Sequence, residues 1–286
     1  MVKPPINPHP SDYEPRAVAG VRSVLLEIGQ VLGSYRGKFV VIGGAVPWLL
    51  LDNPEMRHIG SLDIDLSLDP IALGDGEYAL LVETLLARGY RQSDDLRKFQ
   101  LVREVPVTDG GASINIIVDF LMPRDTVVEK RETPLVEGFA VQKANGAELA
   151  LRYCEIIEIE GAMPFGGENR VEIAVASVPA LLAMKGFALN NRQKEKDAYD
   201  VYYCVRNYGG GPEVLADDCK LLLDNAEAVE GFKYIAAKFE TRDSIGPTWT
   251  AQFADQAGIL DARTADQWQT DAFGQVDVWL RALGLR

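Results

Sequence analysis

Ser61-Leu62-Asp63-Ile64-Asp65-Leu66-Ser67-Leu68 alternates apolar and polar residues from Leu62 onward, the period of a half-buried β-strand. Strand side chains alternate, so Asp63 and Asp65 project from one face. Two like charges that close repel unless a cation sits between or beside them. Mg²⁺ serves well, because it takes hard oxygen ligands and is commonly held by one or two carboxylates plus substrate phosphates. A lone Asp-x-Asp is more often a solvated pair on an exposed strand, so its surroundings decide. Upstream, Phe39-Val40-Val41-Ile42 reads as a short buried strand stopped by Gly43-Gly44. Pro47 follows where the first turn of a helix tolerates a missing N–H. Glycines at such a turn let the backbone approach a ligand, and a helix start offers free N–H groups to phosphate. Downstream, Ser113 to Leu121 is a strongly β-branched strand carrying Asp119. A carboxylate there is costly unless it is paired, metal-bound or at the strand's mouth; the plainer alternative is an edge Asp capping a turn at Met122-Pro123. Strand, Gly-Gly, helix, strand with Asp-x-Asp, then a strand with a third Asp is far more specific than any of its parts.

The 286 residues suffice for one large domain or two ordinary ones. A hydrophobic fraction of 47% with 25% charged residues can fill a core and excludes a largely disordered chain. No apolar run approaches the roughly 20 residues of a membrane span, and Met-Val-Lys-Pro-Pro begins no apolar leader. Three scattered cysteines, Cys154, Cys204 and Cys219, form no disulfide framework. Two histidines, His9 and His58, argue against a His-rich zinc site. These features point to a cytoplasmic protein without membrane association. The net charge of −13 argues against a broad grip on nucleic acid but not against a local basic groove.

The proline-rich residues 1–15 read as a flexible arm. Residues 16–176 are expected to form a strand-rich domain with helices over Arg16–Leu32 and Tyr78–Arg88. Strands are expected at Leu62–Leu68, Phe99–Val105, Glu155–Ile159 and Arg170–Ala176, the last two as a hairpin around Gly166-Gly167. Ser177-Val-Pro-Ala-Leu-Leu combines a capping residue, an early proline and an apolar run, a helix start. Residues 177–286 read as helical throughout.

A second motif lies just inside that helical part: Lys185-Gly-Phe-Ala-Leu-Asn-Asn-Arg192-Gln-Lys194-Glu-Lys196-Asp197-Ala-Tyr-Asp200. On one continuous helix, Lys185 and Asp200 would stand about 22 Å apart at about 1.5 Å rise per residue, too far for one triphosphate. Asn190-Asn191, poor helix formers, mark the expected break. The bland reading is a solvated helix with a Lys196–Asp200 pair, which contributes a few tenths of a kcal/mol. Tyr199, Tyr202 and Tyr203 are expected to pack the helical part, with base stacking by one of them as the alternative, and the four tryptophans read as core. His58, a loop residue, reads as structural.

The order Gly43-Gly44, Ser61-Leu-Asp63-Ile-Asp65, Asp119 resembles the nucleotidyltransferase superfamily that includes DNA polymerase β-like enzymes. The Lys185–Asp200 segment is similar to the signature of AbiEii-type nucleotidyltransferase toxins, including the MenT group. The Gly44-to-Asp63 gap is longer than the family pattern, with Asp52-Asn-Pro-Glu55 as an inserted turn.

The resemblance implies an α/β (α+β) fold: a nucleotidyltransferase domain with a mixed sheet flanked by helices, then a helical domain. It implies Mg²⁺- or Mn²⁺-dependent transfer of an NMP from an NTP to an acceptor hydroxyl. Asp63, Asp65 and Asp119 would hold metal, and Asp119 could also take the acceptor's proton. Gly43, Gly44, Ser61, Lys185, Arg192, Lys194, Lys196 and Asp197 would serve the nucleotide, with Lys185 and Asp200 in the catalytic set. A toxin of a toxin–antitoxin or phage-defence pair is implied, with a cognate antitoxin and RNA, such as tRNA, as acceptor. The rival readings are transfer to a small molecule or a protein, and a non-catalytic nucleotide-binding module of the same fold.

Overall fold

Alternation along the β-branched segments produces strands whose apolar faces share one core. The computed structural model describes residues 9, 12–13, 15–73, 76–106, 113–125 and 141–286; nearly all of the expected arm over 1–15 lies outside them. Among the described residues the strands are β1 (Phe39–Ile42), β2 (Asp63–Leu68), β3 (Gln100–Val105), β4 (Ile114–Pro123), β5 (Gln142–Ala144), β6 (Cys154–Ala162) and β7 (Glu168–Ala176). They form one sheet in the order β3-β4-β2-β1-β7-β6, with β5 paired to β4. The sheet is mixed: β2 runs parallel to β4 and β1 to β7, whereas β1 and β2 are antiparallel. Ile64, Leu66, Leu68, Ile116, Val118 and Phe120 are buried, and their even-numbered register leaves Asp63, Asp65 and Asp119 on the opposite face.

Helix α1 (Pro15–Val31) lies against this sheet. Its buried Glu27 accepts two hydrogen bonds from Arg103 of β3, both at 2.7 Å, a bidentate pair in which each charge has its partner. Short α2 (Ala45–Leu50), α3 (Glu77–Ala87) and α4 (Ala147–Arg152) also lie in the first half. The second half is helical: α5 (Val178–Asn191), α6 (Glu195–Asn207), α7 (Pro212–Lys220), α8 (Ala226–Lys238), α9 (Ile245–Gln256) and α10 (Ala265–Leu283). Ser177 caps α5, and Thr264 with Gln267 forms a reciprocal capping box at α10. No helix among the described residues is long and apolar enough to cross a membrane.

Two compact units divide the chain: Met1–Ala45 with Gly60–Ala176, and Val46–Ile59 with Ser177–Arg286. The domain expected over 16–176 is interrupted, because Val46–Ile59 packs within the helical unit. Tyr203 donates to the Met56 carbonyl at 3.0 Å and Asn53 donates to Asn207 at 2.7 Å, which anchors the excursion. Val46–Ile59, the middle of the long Gly44-to-Asp63 gap, thus belongs to the second unit. Asp119 also differs from the turn-capping alternative: β4 continues past it to Pro123, so it sits within the strand. Trp268 and Trp279 are core residues as expected, but Trp48 and Trp249 are only half-buried.

In the helical unit, α5 and α8 meet backbone to backbone. A Cβ at Gly186 would run into the Gly231 carbonyl, and one at Gly231 into the Ala183 carbonyl. Glycine to alanine in an exposed helix interior ordinarily stabilises by about 1 kcal/mol. Here the neighbour is main chain and cannot swing away. Gly231→Ala is expected to lower stability by about 1–3 kcal/mol in urea unfolding; unchanged or increased stability would refute the close crossing.

Candidate active site

Asp63 and Asp65 lie two residues apart on β2, and Asp119 of β4 is the direct parallel partner of Asp65. Cross-strand partners share a face, so the three carboxylates project from one side of the sheet. All three are half-buried. Ser61, itself buried, donates to Asp63 Oδ1 at 2.9 Å. Gln100 Nε2 donates to Asp119 Oδ1 at 2.8 Å. Gly43, in the turn after β1, has φ +74°, and an added Cβ would collide with Asp65 Oδ2. The Gly43 position therefore excludes a side chain twice over: by its backbone angle and because the Asp65 carboxylate occupies that space. Gly44 completes the turn ahead of α2.

Among the described residues, no three His, Cys, Asp or Glu side chains are grouped so that they could hold a metal ion as they stand. Placement and donor chemistry nevertheless suit a hard divalent cation. Three carboxylates on one face of two adjacent strands offer only oxygen ligands, the set that selects Mg²⁺ or Mn²⁺ over softer ions. Asp63 and Asp119 each accept from a neutral donor on one carboxylate oxygen, Ser61 and Gln100.

The Lys185–Asp200 motif forms a separate cluster within the helical unit. Helix α5 ends at Asn191, Arg192 is extended, and α6 begins at Glu195. The chain doubles back at the break expected from Asn190-Asn191, so Lys185 meets both carboxylates of α6. Its Nζ lies 2.7 Å from Asp197 Oδ1 and 2.6 Å from Asp200 Oδ2, with the residue only 5% exposed. Arg192 grips Asp197 through Nε and Nη2 at 2.7 and 2.9 Å. Lys196 reaches Asp200 Oδ1 at 2.8 Å. Of the two partners that could justify a buried Lys185, phosphate or carboxylate, the structure provides carboxylate. Lys194 is half-buried at the start of α6, and Arg192 is exposed.

His58 adds a contact that sequence spacing did not signal. Its Nε2 lies 2.9 Å from Asp200 Oδ1, and its ring packs on Tyr199 and Tyr203 with centroids 5.4 and 4.7 Å away. The structural role expected for this histidine thus has a defined object. Burial pushes its pKa down to about 4, outweighing the neighbouring Asp200, so Nε2–H donates from a neutral ring. Burial would raise the Asp197 carboxyl, but Lys185 and Arg192 bring it down to about 2. Asp200 is likewise held ionised, burial being outweighed by Lys185 and Lys196. For Lys185 burial is outweighed by Asp197 and Asp200, which raise its pKa and keep it charged.

A one-faced carboxylate trio behind a Gly-Gly turn in a mixed sheet is the framework of a nucleotidyltransferase. The chain belongs to the AbiEii nucleotidyltransferase toxin family of type IV toxin–antitoxin systems, whose family model matches residues 61–275. The match begins at Ser61, so Gly43-Gly44 and His58 precede it. Membership implies an NTP substrate and an antitoxin partner. No curated protein matches the chain. Among solved structures it is similar to the Helicobacter pylori protein JHP933, at 10% identity and TM-score 0.42 over 95% of each chain. It is also similar to a candidate nucleotidyltransferase of H. pylori, at 10% identity and TM-score 0.45 over 95% of this chain and 98% of the other. Likenesses that distant carry no argument about activity.

The buried histidine makes stability depend on pH. Its folded pKa, about 4, lies below the ordinary 6.5. Below pH 6.5 the unfolded chain binds a proton that the native chain refuses, so stability falls between pH 6.5 and 4 and His58 contributes no further loss below that. At about 1.4 kcal/mol per pKa unit, the full effect approaches roughly 3 kcal/mol. Urea unfolding across this range is expected to show the slope in the wild type and lose it in His58→Gln. The same slope in both proteins would mean that another group titrates.

Proposed function

We propose that the protein moves an NMP from an NTP to an acceptor hydroxyl with release of pyrophosphate, using Mg²⁺ or Mn²⁺ held by Asp63, Asp65 and Asp119. The observation that carries this reading is the in-register pairing of Asp65 and Asp119 on one face with Asp63. A bound divalent ion would neutralise the phosphates and stabilise charge at the reacting phosphorus. The chain's own groups would do the rest. Gly43 and Gly44 present main chain to the triphosphate, Ser61 orients Asp63, and Asp119 accepts the proton of the attacking hydroxyl.

Arg192, Lys194 and Lys196 are read as the cationic surface for nucleotide or acceptor phosphates. Lys185, Asp197 and Asp200 would fix that surface: Lys185 neutralises two carboxylates that also bind Arg192 and Lys196. RNA, tRNA foremost, is the preferred acceptor, and growth inhibition as a toxin, in phage defence, is the preferred role. Family membership supports the toxin role, and the basic cluster supports a phosphate-rich acceptor. A non-catalytic module would have no need of three carboxylates on one face.

Asp63→Asn and Asp65→Asn are each expected to reduce transfer by more than the roughly 10–100-fold that losing an outer partner of a metal ligand costs. Their melting temperatures should hold or rise, since a like-charge repulsion is relieved. Incubation with each labelled NTP, total RNA and Mg²⁺ reads the product directly. Labelled RNA supports the reading, and a labelled small molecule or protein replaces the acceptor. Absence of transfer with every NTP would leave the non-catalytic module.

Nucleotide should also raise the melting temperature only with Mg²⁺ or Mn²⁺ present, because binding to the folded state stabilises by mass action. An equal rise in excess chelator would refute metal-mediated binding.

A further inference from the structure

Gln100 stands outside every motif in the sequence, yet each end of its side-chain amide has a defined hydrogen-bond partner beside the carboxylates. It is the antiparallel partner of Asp119 at the first position of β3. Its Oε1 accepts the Arg97 backbone N–H at 3.0 Å, and its own backbone N–H donates to the Arg97 carbonyl at 3.0 Å. This reciprocal pair closes the turn before β3 and fixes the amide's orientation. With the oxygen committed to a main-chain donor, the NH₂ end must be the one that faces Asp119, at 2.8 Å from Oδ1. A neutral donor is the appropriate neighbour here. It holds one carboxylate oxygen without cancelling the charge that a cation would use, as a Lys or Arg would.

We propose that Gln100 is a positioning residue for Asp119, fixing the carboxylate's rotation so that it serves a divalent cation. The proposal rests on the metal assignment made above. Gln100 touches neither substrate nor ion; it acts through Asp119, as outer partners of ligating carboxylates do.

The test uses the full chain without nucleotide. Mn²⁺ is titrated into wild type, Gln100→Met, Gln100→Asn, Asp63→Asn, Asp119→Asn and Gln100→Met with Asp119→Asn. Free ion is followed by electron paramagnetic resonance, and thermal unfolding is recorded alongside. Methionine keeps the length without the donor; asparagine keeps the donor one methylene short. Either folded variant is expected to raise the Mn²⁺ Kd roughly 10-fold or more, with the unfolding midpoint held. The double variant should bind no more weakly than Asp119→Asn alone, since residues acting through one another are not additive. Wild-type Mn²⁺ affinity in a folded Gln100 variant, or additive losses in the double, overturns the proposal while leaving the metal assignment intact. Wild type that binds no Mn²⁺, or binds it as tightly after Asp63→Asn, overturns the metal assignment and the role of Gln100 with it.

Discussion

Asp65 and Asp119 face each other across two parallel strands with the same charge, and the neighbouring geometry accommodates that repulsion. Two unit charges about 5 Å apart repel by about 1 kcal/mol in water and about 3 kcal/mol at an effective dielectric of 20. The protein offsets this with dipoles: Ser61 donates to Asp63 and Gln100 to Asp119. Gly43 contributes differently, by leaving empty the volume that the Asp65 carboxylate fills. Neither Ser61 nor Gln100 carries a positive charge, so their hydrogen bonds hold the carboxylates without cancelling the charge.

The helical unit follows the opposite rule. Around Lys185, three cations and two carboxylates are joined directly, with Asp200 wholly buried and Asp197 nearly so. Deleting one partner of such a group leaves an uncompensated buried charge, which costs about 3–5 kcal/mol. Removing Lys185 therefore weakens the fold itself, whereas removing exposed Arg192 disturbs the core less. His58 extends the cluster to the Val46–Ile59 excursion, so that loop is held by a buried polar contact as well as by the Tyr203 hydroxyl.

Local signals were legible in the sequence, and long-range partners were not. Strand β1 matches the Phe39–Ile42 expectation, and β2 begins one residue inside the expected Leu62, because alternation and glycine stops act over a few residues. The break after Asn191 was legible for the same reason. Helix α4 and strand β5 were missed; each is short, and its apolar pattern is too brief to stand out. The Val46–Ile59 excursion was missed because membership of a unit depends on Tyr203 and Asn207, some 150 residues away in sequence. Gln100 and His58 had no motif at all: each matters through a contact with a carboxylate on another element, 19 and 142 residues on. Gly186 and Gly231 were equally silent, since a glycine required by a helix crossing looks like any other.

A net charge of −13 sits uneasily with a phosphate-rich substrate only if charge is averaged over the molecule. At physiological ionic strength the Debye length is about 8 Å, so distant carboxylates are screened from a bound phosphate. The local tally decides instead. Lys185, Lys196 and Arg192 against Asp197 and Asp200, with His58 neutral, leave one excess positive charge. Arg192, paired with Asp197, is the member of this group with the most exposed side chain, at 51%. Global acidity then acts on the approach of an anion from solution more than on its binding once seated, because long-range steering follows the summed field and contact follows the near one.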